Sequence, residues 1–132
     1  MKNPLLSACL LLAGVLASSC ASSPQIATMG RLHHVGLVWL KEPGNEANRR
    51  RLIDAAHAFL REIPEVRALS VGPALPQASP RVDSSFDLCF VMEFDDQAAM
   101  DRYAKHPVHE KAAREWFLPL ASKLVFYDFM SE

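Results

Sequence analysis

Between residues 31 and 130 the hydrophobic positions recur with a period of two in some stretches and of three to four in others. Residues 31–40 (RLHHVGLVWL) predict a strand, with His33, Val35, Leu37 and Trp39 on one face and His34, Gly36, Val38 and Leu40 on the other. Glu42-Pro43-Gly44 breaks it, and Asn45 suits a helix N-cap. Leu52, Ala56, Phe59, Leu60 and Ile63 then recur at helical spacing, so 46–62 is predicted helical, with Pro64 as its stop. A second strand is expected over 66–72, followed by a proline-containing loop over 73–84. Phe86 to Phe94 alternates again, with Phe86, Leu88, Phe90, Met92 and Phe94 on one face and Asp87, Cys89, Val91 and Glu93 on the other.

Asp95 is expected to cap a short helix whose Met100, Tyr103 and Ala104 share a face. Pro107 disfavours helical geometry at His106 yet suits the first position of a new helix over 107–118, with Ala112, Ala113, Trp116 and Phe117 turned inward. Residues 123–130 (KLVFYDFM) form a closing strand, apolar on both faces. The order β-α-β-β-α-β is that of an α+β, ferredoxin-like fold: a four-stranded antiparallel sheet with helices on one face. Leu37, Trp39, Val91, Val125, Tyr127 and Phe129 then fall on the open face. So large an apolar patch implies a homodimer through that face.

The first twenty residues lie outside this pattern. Lys2 is followed by an apolar run from Leu5 to Ala17, shorter than a bilayer-spanning helix, and then by Ser18, Ser19 and Cys20. The stretch LASSC resembles a bacterial lipoprotein signal in which Cys20 becomes the lipidated N-terminus. Ala17 stands where such signals usually carry Leu, and a plain secretory signal is the alternative. Ala21 rather than Asp after the cysteine implies outer-membrane rather than inner-membrane retention. The expected organisation is a signal peptide over 1–20, a tether over 21–29 (ASSPQIATM) and one domain over 30–132. The expected location is the bacterial cell envelope, outer-membrane or periplasmic, touching the membrane only through the N-terminal lipid. After loss of Cys9 and acylation of Cys20, Cys89 is the remaining thiol of the domain, so no internal disulfide is expected.

Composition narrows the partners. A formal net charge of −1, with Arg49-Arg50-Arg51 on a predicted solvated helix face beside Glu46, gives no footprint for nucleic acid. His106 and His109 are three apart but straddle a helix boundary, and no second cluster has ligand spacing, so neither a metal nor a cofactor is predicted. No glycine-rich phosphate loop or nucleophile elbow is present.

The candidate chemistry lies in residues 103–112 (YAKHPVHEKA). With Pro107 at the first helical position, His109 falls in the first turn, where the helix dipole disfavours imidazolium and leaves a neutral ring able to accept a proton. Tyr103 is placed to share its cavity. The structural alternative is that His109 simply locks the corner between two helices. His106 is expected at the junction, exposed; His33 at the dimer interface; His57 in solvent; and His34 either in the pocket or as a satisfied polar group.

HHVGLVWL, EVRALSVGPAL and the stretch from FDLCFVMEFDDQ through HPVH to VFYDF together resemble the stress-responsive A/B barrel (Dabb) family over residues 31–130. The resemblance implies a dimeric α+β barrel, in a family most of whose members have no established activity. In the plant cyclase of the family that forms olivetolic acid, positions matching His109 and Tyr103 act as general base and partner. A first-strand histidine matching His34 lies in the same pocket. Leu88 replaces a further pocket histidine of that cyclase, which argues against the same reaction on the same substrate. The expected function is binding of a small apolar or aromatic molecule among His34, Leu88, Met92, Tyr103, His109 and Trp116. The alternatives are a cyclase or aldol-type enzyme with His109 as base and Tyr103 as partner, a haem binder using His109 or His34, and a dimerisation module without a cavity.

Overall fold

A computed structural model describes residues 30–132. The signal, Cys20 and the tether fall within residues 1–29, outside the described residues. The elements follow the expected order: β1 (Leu32–Leu40), α1 (Glu46–Glu62), β2 (Ala68–Gly72), β3 (Leu88–Phe94), α2 (Gln97–Ala104), α3 (Pro107–Ala112), a π-helical turn (Ala113–Phe117), the short α4 (Leu118–Leu120) and β4 (Ala121–Met130). The sheet is antiparallel in the order β2-β3-β1-β4, so β4 forms one edge beside β1. Among the described residues no helix is long and apolar enough to cross a membrane.

Alternation in the strands decides what the helices cover. Leu32, His34, Val38 and Leu40 of β1 and Leu88, Phe90, Met92 and Phe94 of β3 are buried beneath them, joined by Leu52, Ala56 and Phe59 of α1 and its C-cap Ile63. Burying each large apolar side chain stabilises the domain by roughly 1.5–3 kcal/mol relative to exposure. The opposite face of the sheet carries His33, Val35, Leu37, Trp39, Val91, Val125, Tyr127 and Phe129, and among the described residues no helix packs on it. His33 stacks on Phe129 there, with ring centroids 4.7 Å apart. Cys89 is half-buried on the same face, and burial raises its thiol pKa.

Asn45 caps α1 as its chemistry suggests, its side chain accepting from the Asn48 amide at 2.9 Å. The cap of α2 is Asp96 rather than Asp95: Asp96 accepts from the Ala99 amide at 2.7 Å. The neighbouring Asp95 carboxylate instead bonds Arg67 and lies 3.6 Å from Arg31. Asp87 also leaves the expected strand. It accepts from the Leu40 amide at 2.8 Å and the Gly44 amide at 2.6 Å, pinning the turn from β1 to α1.

The expected single helix over 107–118 is divided. Its middle opens into a π turn, so a residue is added within one turn and the faces beyond it rotate. Phe117 is thereby buried, while Trp116, expected inward, points out at 38% exposure beside Arg51. His106 is half-buried rather than exposed, and caps α3, its Nδ1 accepting from the Val108 amide at 3.3 Å.

Candidate functional site

Beneath the helices lies a cavity of about 190 Å³. Phe90 and Met92 of β3, His34 of β1, and Leu124 and Phe126 of β4 form its floor. Phe59, Met100, Tyr103, Ala104, His109, Ala113 and Phe117 form its roof. The lining is apolar except for two imidazoles and one phenol.

Tyr103 is delivered by the last turn of α2 and is 4% exposed. Its ring packs on Phe94 at 4.9 Å and on His109 at 4.4 Å. Its hydroxyl has no hydrogen-bond partner among the described residues. Burial pushes its pKa far above the ordinary tyrosine value, so the phenol keeps its proton and acts as a donor.

His109 occupies the first turn of α3 behind the His106 cap. Its Nδ1 lies 3.1 Å from the carbonyl oxygen of Ala104. A carbonyl only accepts, so Nδ1 carries the hydrogen and Nε2 is left with a free lone pair. Burial lowers the His109 pKa, chiefly by desolvation; the Ala104 hydrogen bond opposes the shift and the neighbouring His34 adds to it. The neutral ring argued from the helix dipole is thus held neutral mainly by burial.

His34 is buried on the cavity floor, stacked on Phe126 at 5.0 Å and edge-on to Tyr103 at 6.3 Å. Its Nδ1–H donates to Asp128 Oδ1 at 2.6 Å. Antiparallel pairing sets His34 directly opposite Asp128, so both side chains share one face. The carboxylate fixes the ring's tautomer and orientation. Asp128 escaped the sequence reading; the signal for it was the closing strand, where it lies two residues beyond Phe126 on the same face.

His34, Met92, Tyr103 and His109 are thus brought to one cavity, whereas Leu88 and Trp116 are not. Leu88 is fully buried opposite Val38, packed into the core rather than lining the cavity. Trp116 borders a separate outer groove between α1 and α3. Among the described residues no group of three or more His, Cys, Asp or Glu side chains is placed to hold a metal ion.

The sequence pattern of the stress-responsive A/B barrel domain matches residues 32–131. The chain belongs to that family. A Dabb family protein of ferredoxin-like fold from Mesorhizobium loti is 30% identical, with a TM-score of 0.64 over 79% of this chain and 99% of its own. A dimeric protein of unknown function from Bacteroides fragilis is 21% identical, with a TM-score of 0.64 over 77% of this chain and 97% of its own. A hydroxynitrile lyase from Passiflora edulis is 17% identical, with a TM-score of 0.69 over 80% of this chain and 96% of its own. The last two likenesses carry the fold alone. No curated protein sequence matches the chain.

Proposed function

We propose that this Dabb domain is exported, anchored by a lipid on Cys20 in the bacterial cell envelope, and binds a small apolar or aromatic molecule as a homodimer. Export and anchoring rest on the resemblance of LASSC to a lipoprotein signal. The dimer rests on the uncovered apolar sheet face, and the B. fragilis protein of the same fold is described as dimeric.

The observation that carries ligand binding is a polar pair in an apolar enclosure: the Tyr103 hydroxyl, without a partner among the described residues, and the free Nε2 of His109. A hydroxyl without a protein acceptor can donate to a ligand oxygen, a hydrogen bond worth about 0.5–1.5 kcal/mol net. An apolar cavity of roughly 150 Å³ accepts benzene, so this one, at about 190 Å³, suits a single ring bearing one or two small polar substituents. The probe is 4-nitrophenol, followed by equilibrium dialysis against the purified chain. Uptake of one molecule per chain, weakened about tenfold in Tyr103→Phe and in His109→Ala, is expected. No uptake, or uptake indifferent to both substitutions, refutes the reading.

A second reading takes the same pair as acid–base machinery of the cyclase or aldol type. What favours it is the state of His109: neutral, its tautomer fixed by Ala104, its lone pair free, beside a phenol that retains its proton. His109 would remove a proton α to a carbonyl, and Tyr103 would donate to the developing oxyanion. Condensation of a β-keto ester that disappears in a folded His109→Ala variant supports it; equal turnover in that variant refutes it.

A further inference from the structure

The mouth of the cavity and the open sheet face meet along one strand. β4 is an edge strand of ten residues, and its outer edge pairs with no strand among the described residues. It carries exposed apolar side chains on both faces: Tyr127 and Phe129 on the open face, Phe126 and Met130 on the side of the helices. The helices stop short of it. Phe126, on the floor of the cavity, is 48% exposed and Ala104 of the roof is exposed as well, whereas Phe90, Met92, Tyr103 and Phe117 of the lining are buried. One apolar surface therefore runs from the open face, round the β4 edge, to the mouth.

We propose that a second copy of this chain covers that surface and closes the mouth over Phe126, so that the ligand is enclosed only in the dimer. The proposal rests on the reading that the cavity takes a small apolar molecule. A second copy fits better than an unrelated partner for two reasons. Among the described residues each chain offers two unpaired sheet edges, on β2 and β4, that can pair between copies, and an unpaired apolar edge strand is a template for another strand. A net charge of −1 also sets almost no repulsion against self-association. Closure excludes the water that would compete for the Tyr103 hydroxyl and His109 Nε2. Ligand binding and dimerisation then become one linked equilibrium: if the dimer holds each ligand tenfold more tightly, saturating ligand tightens the two-site dimer about a hundredfold.

The test joins sedimentation of the purified chain with equilibrium dialysis of 4-nitrophenol. Val91→Lys places a charge on the open face, on the side of the sheet away from the cavity. It is expected to give a monomer with an unchanged circular dichroism spectrum that binds 4-nitrophenol at least tenfold more weakly. In the unaltered chain, 4-nitrophenol is expected to tighten the dimer, and dilution below the dimer dissociation constant to weaken uptake per chain. The dilution arm needs no variant, so it decides the matter even if Val91→Lys fails to fold. A folded monomer that binds as tightly as the dimer, or a dimer indifferent to 4-nitrophenol, overturns the proposal and leaves the cavity reading standing. A dimer that takes up no 4-nitrophenol overturns both.

Discussion

Gly36 is the position at which the cavity can be changed with the smallest edit. It lies on the covered face of β1, directly opposite Phe90, and the Phe90 ring occupies the space a side chain would fill. A Cβ at residue 36 would stand 2.1 Å from the ring's Cζ and 2.5 Å from both Cε atoms. Carbon atoms pack at about 3.5–4.0 Å, so Gly36→Ala requires the ring to retreat by roughly 1.5 Å. In a solid core such overpacking costs about 1–3 kcal/mol. Phe90 borders a cavity, however, so its ring has somewhere to go, and the new alanine recovers about 0.4–1 kcal/mol by restricting the unfolded chain. The net cost should sit near 1 kcal/mol, or a fall in Tm of about 4–8 °C for a domain of this size. The space that makes the retreat cheap is the space the ring then occupies. We expect 4-nitrophenol uptake to fall at least tenfold while thermal unfolding stays cooperative. Unchanged uptake would show that Phe90 does not form the ligand wall. A loss of 3 kcal/mol or more would show that no free volume lies behind the ring.

Three further outcomes follow from the site. The depressed pKa of His109 means the native ring resists protonation where the unfolded chain, at the ordinary value of 6.5, takes a proton; its stabilising contribution is present above pH 6.5 and lost as pH falls toward the native value, so His109→Gln should flatten the urea-stability profile in that window, and an unchanged slope refutes the assignment. Asp128→Asn removes the charge from a hydrogen bond to a buried ring and should cost about 1 kcal/mol in urea unfolding, because the carboxylate is half exposed, while weakening 4-nitrophenol uptake through a misoriented His34; no change in either measurement refutes its positioning role. Trp116→Ala should leave 4-nitrophenol uptake unaltered, since the side chain faces the outer groove, and a tenfold loss by dialysis would place it back in the cavity.

The parts of this architecture that local chemistry controls were legible in the sequence. Asn45, the spacing of Leu52, Ala56, Phe59 and Ile63, and Pro64 bound α1, while alternation in β1 and β3 separated the covered from the open face. Once the faces are known, His34, Met92, Tyr103 and His109 converge by topology. What stayed hidden depends on contacts distant in the sequence. Asp95 and Asp96 are equivalent N-caps by type; the choice falls to Asp96 because Arg67 and Arg31, from other elements, engage Asp95. Asp128 becomes part of the site only through the register of β1 with β4, 94 residues apart in the chain. Trp116 was misplaced because an apolar residue at helical spacing points inward only while the helix keeps its period, and the π turn breaks that period.

The cavity itself follows from a mismatch of sizes. Phe90 meets Phe117 and Phe126 with ring centroids 6.1 and 6.2 Å apart, edge-on and tilted, an arrangement aromatic rings favour but one that packs less densely than stacking. Around them the chain places Ala104 and Ala113, residues too short to reach into the gap. The π turn carries Ala113 and Phe117 to the cavity while Trp116 borders the outer groove. The chain keeps open space next to a proton donor and a proton acceptor, and the proposed ligand binding rests on that arrangement.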